Sequence, residues 1–389
     1  MIEVGVDQVL DVLTRLDSRS MRVYPRQCTK LRHRRSTCTL CADACPVQAI
    51  AWDDSVQVDP DRCTGCGVCA TVCPTGVFEA RSPTNTELLI QIKELAQERE
   101  WLAFACPRYR EMRSKEAEPF MQVPCLGRLD ESILIGAVSM GISAVWLMDG
   151  ACQECPQAGG RTVAGTVVER SNAWLQAFGI AQRIAFSPHL PPELSEKARQ
   201  LGAVDGPSRR AFFSLLARET ARTAAVTMES VRGDHGSLPE EAQAPRRGEL
   251  PTHLPAKRQL LLGALRRLSR PGGAGTEISR GLVAQLDFKA TCTGCQMCAF
   301  FCPTGALTKA EQDGRAGVAF RVAHCVDCGL CRDVCYCDAV VIASDVDLGR
   351  MVDDAAEVIL MREADGVPWE ASPKERTKRL LAAMYPGNE

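Results

Sequence analysis

Histidine and aromatic residues are scarce in this 389-residue chain, with five histidines and 5% Phe, Trp and Tyr. His33, His189, His235, His253 and His324 are scattered, with no pair at metal-ligand spacing, and none reads as a convincing acid or base. Walker-type loops, a Gly-x-Gly-x-x-Gly after a strand and a nucleophile elbow are all missing. ATP, nicotinamide and flavin sites and serine-hydrolase chemistry therefore have no sequence support. Charge of one sign is also lacking. The 46 basic and 48 acidic residues leave a net charge of -2, which excludes the broad cationic footprint of a general nucleic-acid binder. The longest apolar stretch, Ser132 to Met148, is broken by Ser139, Gly141 and Ser143 and is short for a membrane span, so it reads as a buried helix followed by a buried strand. Residues 1–20 carry acids early and show no basic-then-apolar export signal. They read as an amphipathic N-terminal helix of a cytoplasmic protein, free or peripheral to a membrane complex. Ser208-Arg209-Arg210-Ala211-Phe212-Phe213 has the letters of a twin-arginine signal but lies mid-chain with no apolar region after it, and reads as part of a helix.

Cysteine is what the chain has in excess: 21 residues, in groups spanning 28 to 73, 106 to 155 and 292 to 337. The outer groups repeat one another. Cys63-Thr64-Gly65-Cys66-Gly67-Val68-Cys69 runs to Cys73-Pro74-Thr75-Gly76, and Cys292-Thr293-Gly294-Cys295-Gln296-Met297-Cys298 runs to Cys302-Pro303-Thr304-Gly305. Residues 84–230 alternate helical patterns (Leu88 to Glu98, Glu131 to Met140, Val167 to Phe178) with short apolar runs (Trp101 to Ala105, Phe120 to Val123, Ala144 to Met148, Arg183 to Phe186). That alternation predicts a small α/β domain with a parallel sheet, its cysteines at the carboxyl ends of strands. Residues 231–283 read as a Pro/Gly-rich linker followed by a basic amphipathic helix from Ala256 to Ser269, expected to pack on its own protein. Residues 346–389 read as a helical extension.

A [4Fe-4S] cube takes three closely spaced cysteines and a remote fourth before proline, and in two-cluster proteins the fourth serves the other cube. By that rule Cys292, Cys295, Cys298 and Cys335 hold one cube, and Cys325, Cys328, Cys331 and Cys302 its partner. Tyr336 stands where proline is usual, and Cys337 competes with Cys335. At the other end Cys63, Cys66, Cys69 and Cys45 complete a third cube. For the fourth, Cys38, Cys41 and the crossed Cys73 lack a first cysteine at the regular spacing, and Cys28 is the nearest substitute. Without Cys28 this cube would be three-iron or labile. Lys30, Arg32, Arg34 and Arg35 in the intervening loop read either as a docking patch for an acidic partner or as a solvated surface. Structural zinc explains Cys-x2-Cys pairs but gives no reason for the third and fourth cysteines, and disulfides are disfavoured by the compartment and the crowding.

Residues 21–82 and 284–345 resemble two-[4Fe-4S] bacterial-type ferredoxin domains, so the resemblance implies α+β ferredoxin-like domains at both ends and four [4Fe-4S] clusters. The middle stretch carries Phe104-Ala105-Cys106-Pro107, Val123-Pro124-Cys125-Leu126-Gly127-Arg128-Leu129-Asp130 and Met148-Asp149-Gly150-Ala151-Cys152-Gln153-Glu154-Cys155. It resembles the delta subunit of methyl-viologen-reducing hydrogenase, also found in heterodisulfide-reductase-type assemblies. That family has more cysteine where Ala105 and Tyr109 stand, and a wider last pair. The resemblance implies a further cluster, [2Fe-2S] or [4Fe-4S], at Cys106, Cys125, Cys152 and Cys155; zinc or no occupant are the alternatives. Asp130 is placed to cap a helix and Arg128 to raise a cluster potential. The expected function is a polyferredoxin-like electron-transfer subunit working with a hydrogenase, heterodisulfide-reductase-type, flavoprotein or other catalytic subunit. A reductase using the central cysteines as its substrate site, and an iron-sulfur redox sensor, are the alternatives.

Overall fold

The computed structural model describes residues 21–113, 120–181, 183–194, 250–269, 277–278, 282–313, 315–343 and 346–363. The helix expected at 1–20, the segment 208–213 and most of the linker lie outside the described residues. In the N-terminal domain β1 (Met21–Val23) pairs antiparallel with β4 (Phe78–Ala80), and β2 (Ile50–Trp52) with β3 (Val56–Val58). Between them stand the short helices α1 (Thr29–Arg32), α2 (Leu40–Asp43) and α3 (Val68–Val72). Elements of three to five residues bury little surface by themselves. Cys28, Cys41 and Cys73 accordingly pack among Met21, Ile50, Val56, Val77 and Phe78 as members of the core.

The central domain follows: α4 (Asn85–Leu95), β5 (Trp101–Ala105), α5 (Pro107–Met112), β6 (Met121–Gln122), α6 (Glu131–Ser139), β7 (Ala144–Met148), α7 (Gly159–Ala177) and β8 (Ile184–Ser187). The four strands form a parallel sheet in the order β6-β5-β7-β8. All five residues of β5 are buried, as a strand covered on both faces requires. Helix α4 opens with a capping box between Thr84 and Glu87, and Asp130 caps α6 by accepting from Ser132 N at 2.9 Å.

Helix α8 (Ala256–Leu268) is the basic helix expected from sequence, and it ties the parts together. Leu261, Leu262, Ala264 and Leu265 are buried in a core that runs continuously from the central sheet into the C-terminal domain. Lys257 Nζ donates to Ala70 O and Thr71 O (2.9 and 2.7 Å), the free carbonyls at the end of α3. Arg258, 4% exposed, donates to Ala323 O and Leu282 O.

The C-terminal domain contains β9 (Glu277–Ile278), β10 (Gln285–Phe288), α9 (Met297–Phe300), β11 (Leu307–Gln312), β12 (Arg315–Phe320), α10 (Leu330–Asp333), β13 (Val340–Ala343), β14 (Val346–Asp347), α11 (Leu348–Asp353) and β15 (Glu357–Glu363). Strand β10 pairs with β13, and β12 lies between β11 and β15. The expectation of a helical extension over 346–389 is corrected in its described part. Only α11 is helical there, and β15, with its Val358-Ile359-Leu360-Met361 run, adds an antiparallel strand to the β11-β12 hairpin. Among the described residues no helix is long and apolar enough to cross a membrane.

Leu265 is 1% exposed, so Leu265→Ala should cost about 2–5 kcal/mol by loss of burial and creation of a cavity. A urea titration followed by the fluorescence of Trp101, Trp146 and Trp174 measures it. A loss below about 0.5 kcal/mol would mean that α8 is a surface linker helix.

Candidate functional site: five cysteine sets

All 21 cysteines lie in the described residues and are free thiols. Cys302, Cys325, Cys328 and Cys331 line one cavity, with about 380 Å³ of space among the lining atoms. Cys28, Cys38, Cys41 and Cys73 line its counterpart, of about 330 Å³. The irregular N-terminal set is thus brought together with Cys28 in it. A 3-10 turn, Pro25–Gln27, delivers Cys28 as Val322–His324 delivers Cys325, and the first-cysteine amides donate to Pro25 O and Val322 O (3.0 and 2.9 Å). Cys28 therefore occupies the position of the missing first cysteine, and the loop after it is an insertion. In the two outer sets, Cys45, Cys63 and Cys66 act electrostatically on Cys69, and Cys292, Cys295 and Cys335 on Cys298.

One backbone device recurs at all four remote cysteines. The third residue after each, Gln48, Gly76, Gly305 and Asp338, takes a positive φ of 50, 75, 68 and 46°. That left-handed step, uncommon outside glycine, turns the chain so that an amide faces back on the sulfur. Ala49 N donates to Cys45 Sγ (3.3 Å), Val77 N to Cys73 (3.4 Å), Leu307 N to Cys302 (3.4 Å) and Ala339 N to Cys335 (3.3 Å). Cys335 takes this bond although Tyr336 replaces proline. Cys337 is partly exposed, and its sulfur lies 3.7 Å from that of Cys335.

The donor set fits an iron-sulfur group. Burial pushes the Cys41 thiol up to about 12, with the charges of Cys73, Cys38 and Cys28 adding to the rise, and Cys325 up to about 11. It also raises Cys328 and Cys331 well above the ordinary thiol value. Such thiols become thiolates only against a cationic centre, and the amides aimed at sulfur suit the anion. Among the described residues no three His, Cys, Asp or Glu side chains converge on a single-ion site. The thiols ring cavities instead, as a multi-iron group requires.

The central cysteines also converge. Cys106 ends β5 and precedes α5, Cys125 follows β6, and Cys152 and Cys155 lie in the turns after β7. The carboxyl edge of the parallel sheet thus gathers all four around about 750 Å³ of space, together with Arg108, Gln157 and Arg161. Gln157 N donates to Cys155 Sγ at 3.4 Å, and burial pushes Cys125 up to about 12 and Cys152 up to about 11. Arg161 pairs with Asp149 at 2.8 Å and lies over the Phe186 ring. Arg128, three residues after Cys125, turns to the N-terminal domain. It is 1% exposed, donates to Pro83 O at 3.1 Å and faces Cys69 electrostatically, while its Nε and Nη1 have no protein partner.

The sets are contiguous. Cys66, Val68 and Cys125 pack in one buried cluster, Cys41 acts electrostatically on Cys69, and Cys298 on Cys331. The two halves meet through the inserted loop. Arg32 donates to Phe301 O (2.9 Å) and Cys302 O (3.4 Å), Thr37 N to the Asp333 carboxylate (3.2 Å), and Lys30 lies over the Trp52 ring. The docking-patch reading is therefore corrected for Lys30 and Arg32, which are engaged within the chain; Arg34 and Arg35 are exposed. Neither the insertion's docking role nor the amide-to-sulfur turn carries a periodicity that sequence reasoning could have found.

The 4Fe-4S dicluster domain profile matches residues 34–77 and again 286–336, and the profile of methyl-viologen-reducing hydrogenase, delta subunit, matches residues 103–205. An uncharacterized ferredoxin of Methanocaldococcus jannaschii is 49% identical over 44 residues, 11% of this chain and 71% of that protein. Indolepyruvate oxidoreductase subunit IorA of Pyrococcus horikoshii is 49% identical over 45 residues, 11% of this chain and 7% of that one. Hydrogenase-4 component A of Escherichia coli is 46% identical over 41 residues, 10% of this chain and 20% of that protein. The chain spans 6%, 7% and 65% of the length of three curated relatives it matches, so it covers less than two thirds of each. No solved structure matches.

A Cβ on Gly160 would sit 2.6 Å from Cys125 Sγ. Gly160→Ala should therefore displace that sulfur and, where the central four thiols hold a cluster, lower bound iron by that cluster's share alone, about two to four atoms per chain. Iron analysis of the anaerobically reconstituted variant checks this, and unchanged iron would show that no cluster there depends on Cys125.

Proposed function

We propose, on the premise that the chain belongs to the ferredoxins through its dicluster domains and joins them to a hydrogenase delta-subunit domain, that it is a relay subunit passing single electrons between a donor and a catalytic oxidoreductase subunit. The observation that carries this reading is the fourfold recurrence of the amide-to-sulfur turn, with cysteine-ringed cavities at the two inner sets. We assign Cys28, Cys38, Cys41 and Cys73 to one cube and Cys45, Cys63, Cys66 and Cys69 to the second. Cys302, Cys325, Cys328 and Cys331 hold the third, and Cys292, Cys295, Cys298 and Cys335 the fourth. When bound, a cube supplies a one-electron couple whose potential depends on burial, nearby charge and hydrogen bonds to sulfur.

The protein's own part is to hold these thiols apart from water, aim amides at them and keep neighbouring sets in contact. The partners of such a relay are redox proteins of hydrogenase, heterodisulfide-reductase or flavoprotein type, as the delta-subunit resemblance suggests. At the central site we assign a fifth cluster to Cys106, Cys125, Cys152 and Cys155. The greater space there, about 750 Å³ against 330 and 380 Å³ at the inner ferredoxin sites, favours one second reading, a reductase whose substrate meets this cluster directly.

Anaerobic purification with iron, sulfide and zinc analysis and a reductive EPR titration tests the assignment. Four cubes require about sixteen iron and sixteen sulfide per chain, and a filled central site raises both. Iron of about eight or less with stoichiometric zinc would overturn it. Turnover of a small disulfide or sulfur compound by the dithionite-reduced protein would favour the reductase reading. Cys28→Ser should cost between one and about four iron atoms per chain, as a three-iron centre or a lost cube. Full iron retention with an unchanged spectrum would remove Cys28 from the ligands.

A further inference from the structure

The inner C-terminal site, lined by Cys302, Cys325, Cys328 and Cys331, draws two guanidiniums from outside its own domain. Arg32 crosses from the N-terminal domain, donating Nε and Nη2 to the carbonyls of Phe301 and Cys302, while Pro251 O holds its Nη1 at 2.8 Å. His33 packs edge-on against Phe301, ring centroids 4.6 Å apart, and Thr37 binds Asp333, so the inserted loop is fixed on both sides of the arginine. Arg258 arrives from α8 and is buried against Ala323 O and Leu282 O. Cys302 and Cys328 act electrostatically on Arg32, and Cys325 on Arg258, so three of the four thiols face a permanent cation.

The other ferredoxin sites differ. Arg128 meets the outer N-terminal set through Cys69, whereas the charges acting on Cys41 and Cys298 are those of other cysteines. We infer that Arg32 and Arg258 make the inner C-terminal site the most oxidising of the four ferredoxin sites, with Arg32 acting across the domain junction. The inference rests on the four-cube reading. A fixed positive charge favours the reduced, more negative state of a nearby cluster, and the low local dielectric strengthens the effect. The potential of this site then depends on how the two ferredoxin domains are docked.

The test is an EPR-monitored potentiometric titration of the full chain, reconstituted anaerobically, with iron counted in every sample. Leaving aside any centre that is lost in Cys125→Ala, the first centre to become reduced in the wild type should be missing from Cys328→Ala and from Cys331→Ala. It should move to lower potential in Arg32→Gln at unchanged iron content, and keep its place in Arg32→Lys and in Arg34→Gln, whose side chain is exposed. Persistence of the first-reduced centre in both cysteine variants, or an unmoved potential in Arg32→Gln, would overturn the inference while leaving the carrier reading intact. A wild type that cannot be loaded with four cubes would overturn the carrier reading itself.

Discussion

The structure depends on the burial of thiols that must be anionic to work. A thiolate in a low-dielectric interior is costly unless a cation or hydrogen-bond donors offset it, and here twelve of the sixteen assigned cysteines pack in or against buried cores. In the N-terminal domain Cys28, Cys41 and Cys73 pack where a larger domain would place leucine or valine. An iron-sulfur group in each ring of thiols would supply both the compensating charge and the cross-link that short elements lack, as metal binding does in other small domains. The recurrent left-handed residue three positions after each remote cysteine follows from the same need. It converts a tight turn into an amide donor for sulfur, and it does so even at Cys335, where proline is absent.

That constraint also explains how the domains are assembled. A chain of separate ferredoxin modules would leave each set of thiols facing solvent at its inner edge. The inserted loop between Cys28 and Cys38 instead seats Arg32 on the backbone of Cys302, and α8 sends Lys257 to the N-terminal domain and Arg258 into the C-terminal one. Buried guanidiniums are expensive unless anions face them, and each of Arg32, Arg128 and Arg258 faces cysteine. Of the four basic residues that looked like a partner surface, Arg32 faces the cysteines of the inner C-terminal site and Lys30 packs over Trp52, while Arg34 and Arg35 are exposed.

Much of this was legible in the sequence where one local rule decides the outcome. The Cys-x2-Cys-x2-Cys-x3-Cys spacing and its crossed partner pointed to Cys302 with Cys325, Cys328 and Cys331, which line one cavity. The β5 and β7 runs were bounded correctly because a doubly covered parallel strand is a short, unbroken apolar segment. Helix α4 starts at Asn85 rather than Leu88 because the Thr84-Glu87 capping box, present in the sequence, defines the start ahead of the apolar stripe. Helix α7 starts at Gly159, eight residues ahead of the expected Val167. Its glycine pair is poor for a helix but allows Gly160 to lie against Cys125, a contact between segments distant in the chain. Strand β15 was missed for the same kind of reason. Its apolar run sits among charged helix formers, and its partner β12 lies about forty residues earlier.

The order in which the sets touch gives the architecture its functional sense. Cys125 of the central set packs with Cys66 of the outer N-terminal set, Cys69 neighbours Cys41 of the inner N-terminal set, Arg32 joins that domain to Cys302, and Cys331 neighbours Cys298. These links run from the central set to the outer and inner N-terminal sets and, by way of Arg32, to the inner and outer C-terminal sets. The Cys28-to-Cys38 loop, which carries Arg32, joins the two ferredoxin domains there. Under the proposed relay, the carboxyl edge of the central sheet and the set beside Tyr336 and Cys337 would be the places for partners to dock. Those two ends differ in chemistry, one roomy and lined by Arg108 and Arg161, the other bordered by an exposed hydrogen bond between the Thr293 and Tyr336 hydroxyls. In the proposed relay, that asymmetry is what would let a donor and an acceptor dock at different ends.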